Sequence, residues 1–216
     1  MAQGNDSHVF VPVSVIGTQF IAPYPLEVKI EKNSQGNFVI SDINSKTILK
    51  VKPCDTSFHR QRLLLDANDI PLVMMREKNM SEHNRWKVYR GESKAKEDMI
   101  FSTKTEHMIH FKTRLNVYLA NKMSNKDDFD FKIEGNWSDR SCDIYIGDSS
   151  TAIAQVNKVQ PLHNVKLPKD NFMVTIYRNV DYAFVVALIV IVDSMKSSDP
   201  KEVGAGFGGG PALFPF

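Results

Sequence analysis

Apolar and polar positions alternate with period two along much of this chain, and the alternating runs are short. Phe38–Ser41 leads to the polar turn Asp42–Ser45 and then to Thr47–Val51. The same unit recurs as Arg62–Leu65, Asp66–Asp69 and Pro71–Arg76, and again as Cys142–Ile146, Gly147–Ser150 and Ala152–Val156. Asp, Asn, Gly and Ser in the connections supply the backbone freedom and local hydrogen bonds that tight turns need. Arg85–Arg90, Phe129–Ile133 and, in part, Lys112–Tyr118 alternate as well, and Phe172–Tyr177 reads as the last strand. At least nine strands at such close spacing predict an antiparallel meander, closed or nearly so, within one domain.

One segment breaks the pattern. Ala183–Val192 is ten uninterrupted apolar residues, with Asp181 and Asp193 just outside its ends. A membrane-spanning helix needs about 20 such residues, and ten helical residues cover only about 15 Å. The run therefore belongs inside protein, and an element apolar on every side must be surrounded by it. Periodicity leaves helix and strand both open. Val and Ile favour a strand, and Asp193 would oppose a helix dipole at its C-terminal end. Asp181 suits a helix N-cap, and ten residues without alternation is long for a strand. Burying the run contributes on the order of 15 kcal/mol gross, about what ordering it costs, so it is stable only when fully enclosed.

Charge adds an asymmetry. The net charge of +2 singles out neither nucleic acid nor membrane as a partner, yet residues 44–122 hold sixteen Lys and Arg against nine Asp and Glu. A basic face could meet phosphates, although the need to solvate the outside of a β protein accounts for the same residues. No long apolar helix suggests a transmembrane segment. The N-terminus lacks the charged-then-apolar pattern of a secretory signal, and Ala2 stands where myristoylation needs glycine. The expectation is an intracellular protein, cytoplasmic or nuclear, peripheral to a membrane at most. Residues 1–20 read as a flexible N-terminal segment, 21–196 as the folded domain, and 197–216 as a disordered Gly-rich tail.

Candidate chemistry is sparse. No phosphate loop, nucleophile elbow or His-Glu-x-x-His pattern is present. Cys54 and Cys142 form no metal motif, and His107 and His110, three apart on a β segment, fall on opposite faces. No cofactor and no catalytic residue are expected. The basic strands remain. Arg85 and Lys87 share a strand face with Tyr89, while Trp86, Val88 and Arg90 take the other. Arg76 and Lys78 share a face, and so do Lys112 and Arg114. Arginine offers a bidentate fork to phosphate oxygens and lysine a mobile point charge, so these six are the candidates for an anionic lipid headgroup or another polyanion.

Four stretches together resemble the plant LURP-one-related family: Gly36–Val51, Arg62–Lys78, His83–Gly91 and, most specifically, Asp170–Asp193 with its NVDYAF followed by the apolar run. Ala22–Pro25 fits as well. The resemblance implies a mainly β, tubby-like closed antiparallel barrel of about twelve strands around a central hydrophobic α-helix at 183–192. The wider group includes the tubby domain, a phosphoinositide-binding module linked to membrane-tethered transcription regulators, and the phospholipid scramblases. The Cys-rich segment that precedes the scramblase helix has no counterpart here. Some plant relatives are linked to pathogen defence. The resulting expectation is a non-enzymatic module that docks on anionic membrane, a phosphoinositide being one candidate. The alternative is a protein-interaction scaffold in stress or defence signalling, with an unknown protein partner. The small net charge and the lack of a reading helix argue against direct nucleic-acid recognition.

Overall fold

The computed structural model describes residues 11–78, 85–109, 112–121, 128–158 and 171–196. Among these residues twelve strands follow one another. They are β1 (Leu26–Lys32), β2 (Phe38–Asp42), β3 (Thr47–Pro53), β4 (Gln61–Asp66), β5 (Pro71–Lys78) and β6 (Arg85–Arg90), then β7 (Met99–Ile109), β8 (Lys112–Leu119), β9 (Phe131–Asn136), β10 (Ser141–Ile146), β11 (Ala152–Lys158) and β12 (Asn171–Ile176). Each pairs antiparallel with its neighbours in sequence, and β1 closes the ring by pairing with β12, Leu26 opposite Ile176 and Glu31 opposite Asn171. Among the described residues closure leaves no edge strand exposed to further pairing.

Alternation decides which residues line the inside. On β1, Val28 and Ile30 point inward at 0% exposure while Glu27, Lys29 and Glu31 face solvent. The β2–β3 and β4–β5 turns are built alike. Oδ1 of Asp42 accepts from the amides of Asn44 and Lys46, and Oδ1 of Asp66 from those of Asn68 and Ile70. Ser45 and Asp69 take the same position in the two turns, with φ of 63° and 66°. The repeated polar turns of the sequence are thus one structural device used twice.

Inside the ring runs α1 (Tyr182–Lys196), a helix about 22 Å long. Every residue from Ala183 to Met195 is buried. Its Val and Ile content is unfavourable for an isolated helix, but the helix occupies the axis of a closed barrel, where burial outweighs propensity. Phe184 packs edge-on against Phe101 and Phe131, with ring centroids 5.3 and 4.9 Å away. The helix continues past the expected end at Val192 because Asp193 meets its counterions there, as described below.

Residues 11–20 form a strap laid against the barrel end. Val13 bridges to Val180, Ile21 to Asp181, and Ile16 and Phe20 are buried. Residues 1–10, the Gly-rich tail and the histidines His83 and His110 lie outside the described residues. Two strands, β1 and β7, were not anticipated from the sequence. The third alternating run begins at Phe131, not at Phe129, because Asp130 bends back to accept the amide of Leu119 on its carboxylate at 2.8 Å.

Candidate functional site

The two ends of α1 are held by different chemistry. At the N-terminal end, Asp181 is fully buried and caps the helix. Its Oδ1 accepts the Phe184 amide at 3.0 Å, and its Oδ2 accepts the amides of Val15, Ile16 and Gly17 at 3.2, 2.7 and 3.0 Å. Four backbone donors surround one carboxylate, and three of them come from the strap. The N-cap read from the sequence is therefore also the clasp that closes this end of the barrel.

At the C-terminal end the partners are side chains. Asp193 accepts from Lys32 Nζ at 2.7 Å and from Arg140 Nη1 at 3.2 Å. The Arg140 guanidinium lies over the rings of Trp137 and Phe172, 4.5 and 4.7 Å from their centroids. Arg60 donates Nη1 to the Ser194 carbonyl at 2.6 Å and grips Glu77 with its Nε and Nη2. Cations at the last carbonyls complement the negative end of the helix dipole, which is how Asp193 is accommodated where a carboxylate is unfavourable.

The outer face above this end carries most of the basic candidates. On β5 and β6, Met75 opposes Val88 and both point fully into the core. The next register pair, Arg76 opposite Lys87, therefore points outward, and so does Lys78 opposite Arg85 two residues on. Arg76 and Lys87 are half-buried, while Lys78 and Arg85 are exposed. Four cations thus form two consecutive like-charged cross-strand pairs.

Lys112 and Arg114 do not join them. They lie on β8, two strands away. Arg114 sits between Glu106 and Glu134, with Nε 3.0 and 3.1 Å from their carboxylate oxygens. These are charge contacts without aligned hydrogen bonds, and they neutralise the guanidinium in place. Lys112 is exposed at the start of β8. Tyr89 keeps the outer face with Arg85 and Lys87, opposite Met74, but is buried there at 7% exposure, while Arg90 at the end of β6 is exposed. Met74 in turn touches Cys54, sulfur to sulfur at 3.7 Å, so a small apolar cluster lies outside the barrel beside the cations.

Sequence reasoning missed Arg60, which has no neighbour in the sequence that marks its role. It also missed Lys104, half-buried on β7 two residues beyond the Ser102 that opposes Lys87. Both cysteines are poorly disposed to act as nucleophiles. Burial, aided by Asp143, pushes the Cys142 thiol up to about 12, and burial beside Asp55 raises that of Cys54. Among the described residues no three His, Cys, Asp or Glu are grouped to hold a metal ion, and no helix is long and apolar enough to cross a membrane.

Comparison with known proteins gives this barrel its relatives. The family model described as LURP-one-related matches residues 26–193. Protein LURP-one-related 15 of Arabidopsis thaliana is 40% identical over 191 residues, covering 86% of this chain and 87% of its own length. Protein LURP1 of the same plant is 38% identical over 191 residues, covering 87% and 92%. An X-ray structure of an Arabidopsis thaliana protein matches the fold with a TM-score of 0.67 at 34% identity, over 85% of this chain and 98% of that one. The family match starts at the first residue of β1 and ends at Asp193, taking in the whole ring and most of the helix it encloses. On that span and those identities, the chain belongs to the LURP-one-related family.

Proposed function

We propose that this protein is a non-catalytic, tubby-like module that docks reversibly on anionic membrane through the outer face of β5 and β6. The observation that carries the reading is the pair of like-charged register positions, Arg76–Lys87 and Lys78–Arg85. An anion lying across these positions meets cations from both strands. Phosphate groups of lipid headgroups, a phosphoinositide among them, have the charge and the oxygen geometry for this. Each Lys or Arg close to an anionic bilayer contributes about 1 kcal/mol, so four supply about 4 kcal/mol and millimolar, rapidly reversible binding. Lys112 lies further round the barrel and adds long-range attraction only, while Arg114 is matched by its two glutamates.

The test is co-sedimentation with phosphatidylcholine vesicles, with and without phosphatidylserine or a phosphoinositide, at low and at physiological salt. Wild-type protein should bind anionic vesicles, and the double variant Arg76→Glu/Lys87→Glu should not. Binding to any anionic lipid that fades as salt rises indicates a diffuse basic face. Selective binding to a phosphoinositide that survives physiological salt indicates a built headgroup site.

A second reading, a protein-interaction scaffold, is favoured by one observation at the opposite rim. Ile43 and Ile70, in the two equivalent turns, are 71% and 57% exposed, and the strands β3 and β4 that carry these turns are neighbours. If no vesicle composition captures the protein, these two side chains are where a protein partner should be sought.

A further inference from the structure

We propose that Phe58 is an apolar anchor that enters the bilayer interface when the barrel docks, with the connection between β3 and β4 serving as an insertion loop. This rests on the membrane-docking reading above and names the contact that reading lacks. Phe58 is 76% exposed, at the tip of a turn. The turn is firmly built. The Thr56 amide donates to the His59 carbonyl at 2.9 Å, the His59 amide donates to Thr56 Oγ1 at 3.1 Å, and the Cys54 amide donates to the Gln61 carbonyl at 3.0 Å. An exposed phenylalanine on a pinned turn is costly to hydrate and costs little further ordering to bury.

Its position matches that of the cations. Arg60 reaches the helix C-terminus at the Ser194 carbonyl, and the Glu77 amide donates to the Arg60 carbonyl at 3.0 Å. Phe58 therefore stands two residues from a segment bonded to β5, immediately before Lys78, on the rim where β6 begins with Arg85. The acids nearby are already matched, Asp55 by Arg62 at 2.6 Å and Glu77 by Arg60, so they offer little repulsion to a phosphate surface. Cations flanking a single aromatic tip suit an interface that is anionic above and apolar below, and stable peripheral binding takes two such contributions.

The experiment uses the full chain with Phe58→Trp. The native tryptophans, Trp86 and Trp137, are 0% and 3% exposed, so the introduced indole is the only one poised to report on the surface. With vesicles of phosphatidylcholine and phosphatidylserine, its emission should shift to the blue and be quenched by brominated acyl chains. In parallel, Phe58→Ala should bind the same vesicles about tenfold more weakly at physiological salt, while low-salt binding is largely kept. Vesicle binding by Phe58→Trp with unshifted, unquenched emission overturns the insertion and leaves the electrostatic docking standing. Absence of vesicle binding by the wild-type protein overturns both.

Discussion

The two ends of the central helix solve one problem in opposite ways. Each places a carboxylate in the interior, Asp181 at 0% exposure and Asp193 at 4%. Asp181 is satisfied by four backbone amides, which cannot move without unfolding the strap or the first helical turn. Asp193 is satisfied by Lys32 and Arg140, long side chains that reach it from the barrel wall and keep 23% and 14% of their surface exposed. The first end is closed by the chain itself. The second is closed by cations, which makes it electrically active. The difference teaches that a buried charge fixed by backbone stabilises a fold, while one fixed by side chains also concentrates positive charge at a rim.

Replacing Asp181 by Ala is expected to have the largest effect. It strands four backbone donors at once, two of them buried, and should lower stability on the order of 4 kcal/mol, read as the shift of a urea unfolding curve at constant slope. Asp181→Asn should rescue little, because both carboxylate oxygens accept and the amide turns a donor toward other donors. A loss equal to that of an ordinary surface mutation would erase the contrast between the ends. Asp193→Ala should cost less, about 2 kcal/mol, because Lys32 and Arg140 can turn toward water when their partner is lost. If its cost exceeds that of Asp181→Ala, side chains hold the tighter end and the comparison is reversed.

A third carboxylate sharpens the scale from the exposed side. Hydrogen bonds from Lys50 and Lys52, at 2.8 and 2.9 Å, hold Asp69 below the ordinary value of 3.8. A carboxyl lowered on folding stabilises the native state above its ordinary value and loses that contribution as pH falls through the lowered one. Asp69 is exposed at the surface, so its share should be the smallest and should vanish in high salt. Comparing acid unfolding of wild type with Asp69→Asn at two salt concentrations checks this. A difference that persists at high salt would contradict it.

The fold was legible where polarity follows direction. Val28, Ile40 and Val88 point in and are apolar, and the twin turns at Asp42 and Asp66 announce themselves by composition. β7 escaped notice because the residues it turns inward include Thr103 and Thr105, 1% and 8% exposed, which hide the alternation. β1 alternates Leu26, Val28 and Ile30 with charged residues. The helix itself was ambiguous by periodicity, since its Val and Ile content is set by surroundings that a local window does not contain. For the site, strand alternation correctly placed Arg76 with Lys78 and Arg85 with Lys87. Only the register brings these two pairs together, and only the fold reveals that Arg114 is spent on Glu106 and Glu134. Arg60 depended on tertiary proximity to Ser194, and no local signal could have marked it.

The enclosure of α1 has a consequence for how the molecule reaches its native state. The ring is sealed by pairing Leu26 with Ile176, and the element that fills it comes after both in the chain. Until residues 182–196 are available, twelve strands have their inner faces turned toward an unfilled lumen. The sealing contact also joins positions far apart in sequence, so closing the ring costs more loop entropy than forming any single hairpin. Hairpins such as β2–β3 and β4–β5 can form early on their own turns, but cooperative assembly must wait for the helix. During that wait apolar strand faces are exposed to one another and to other chains.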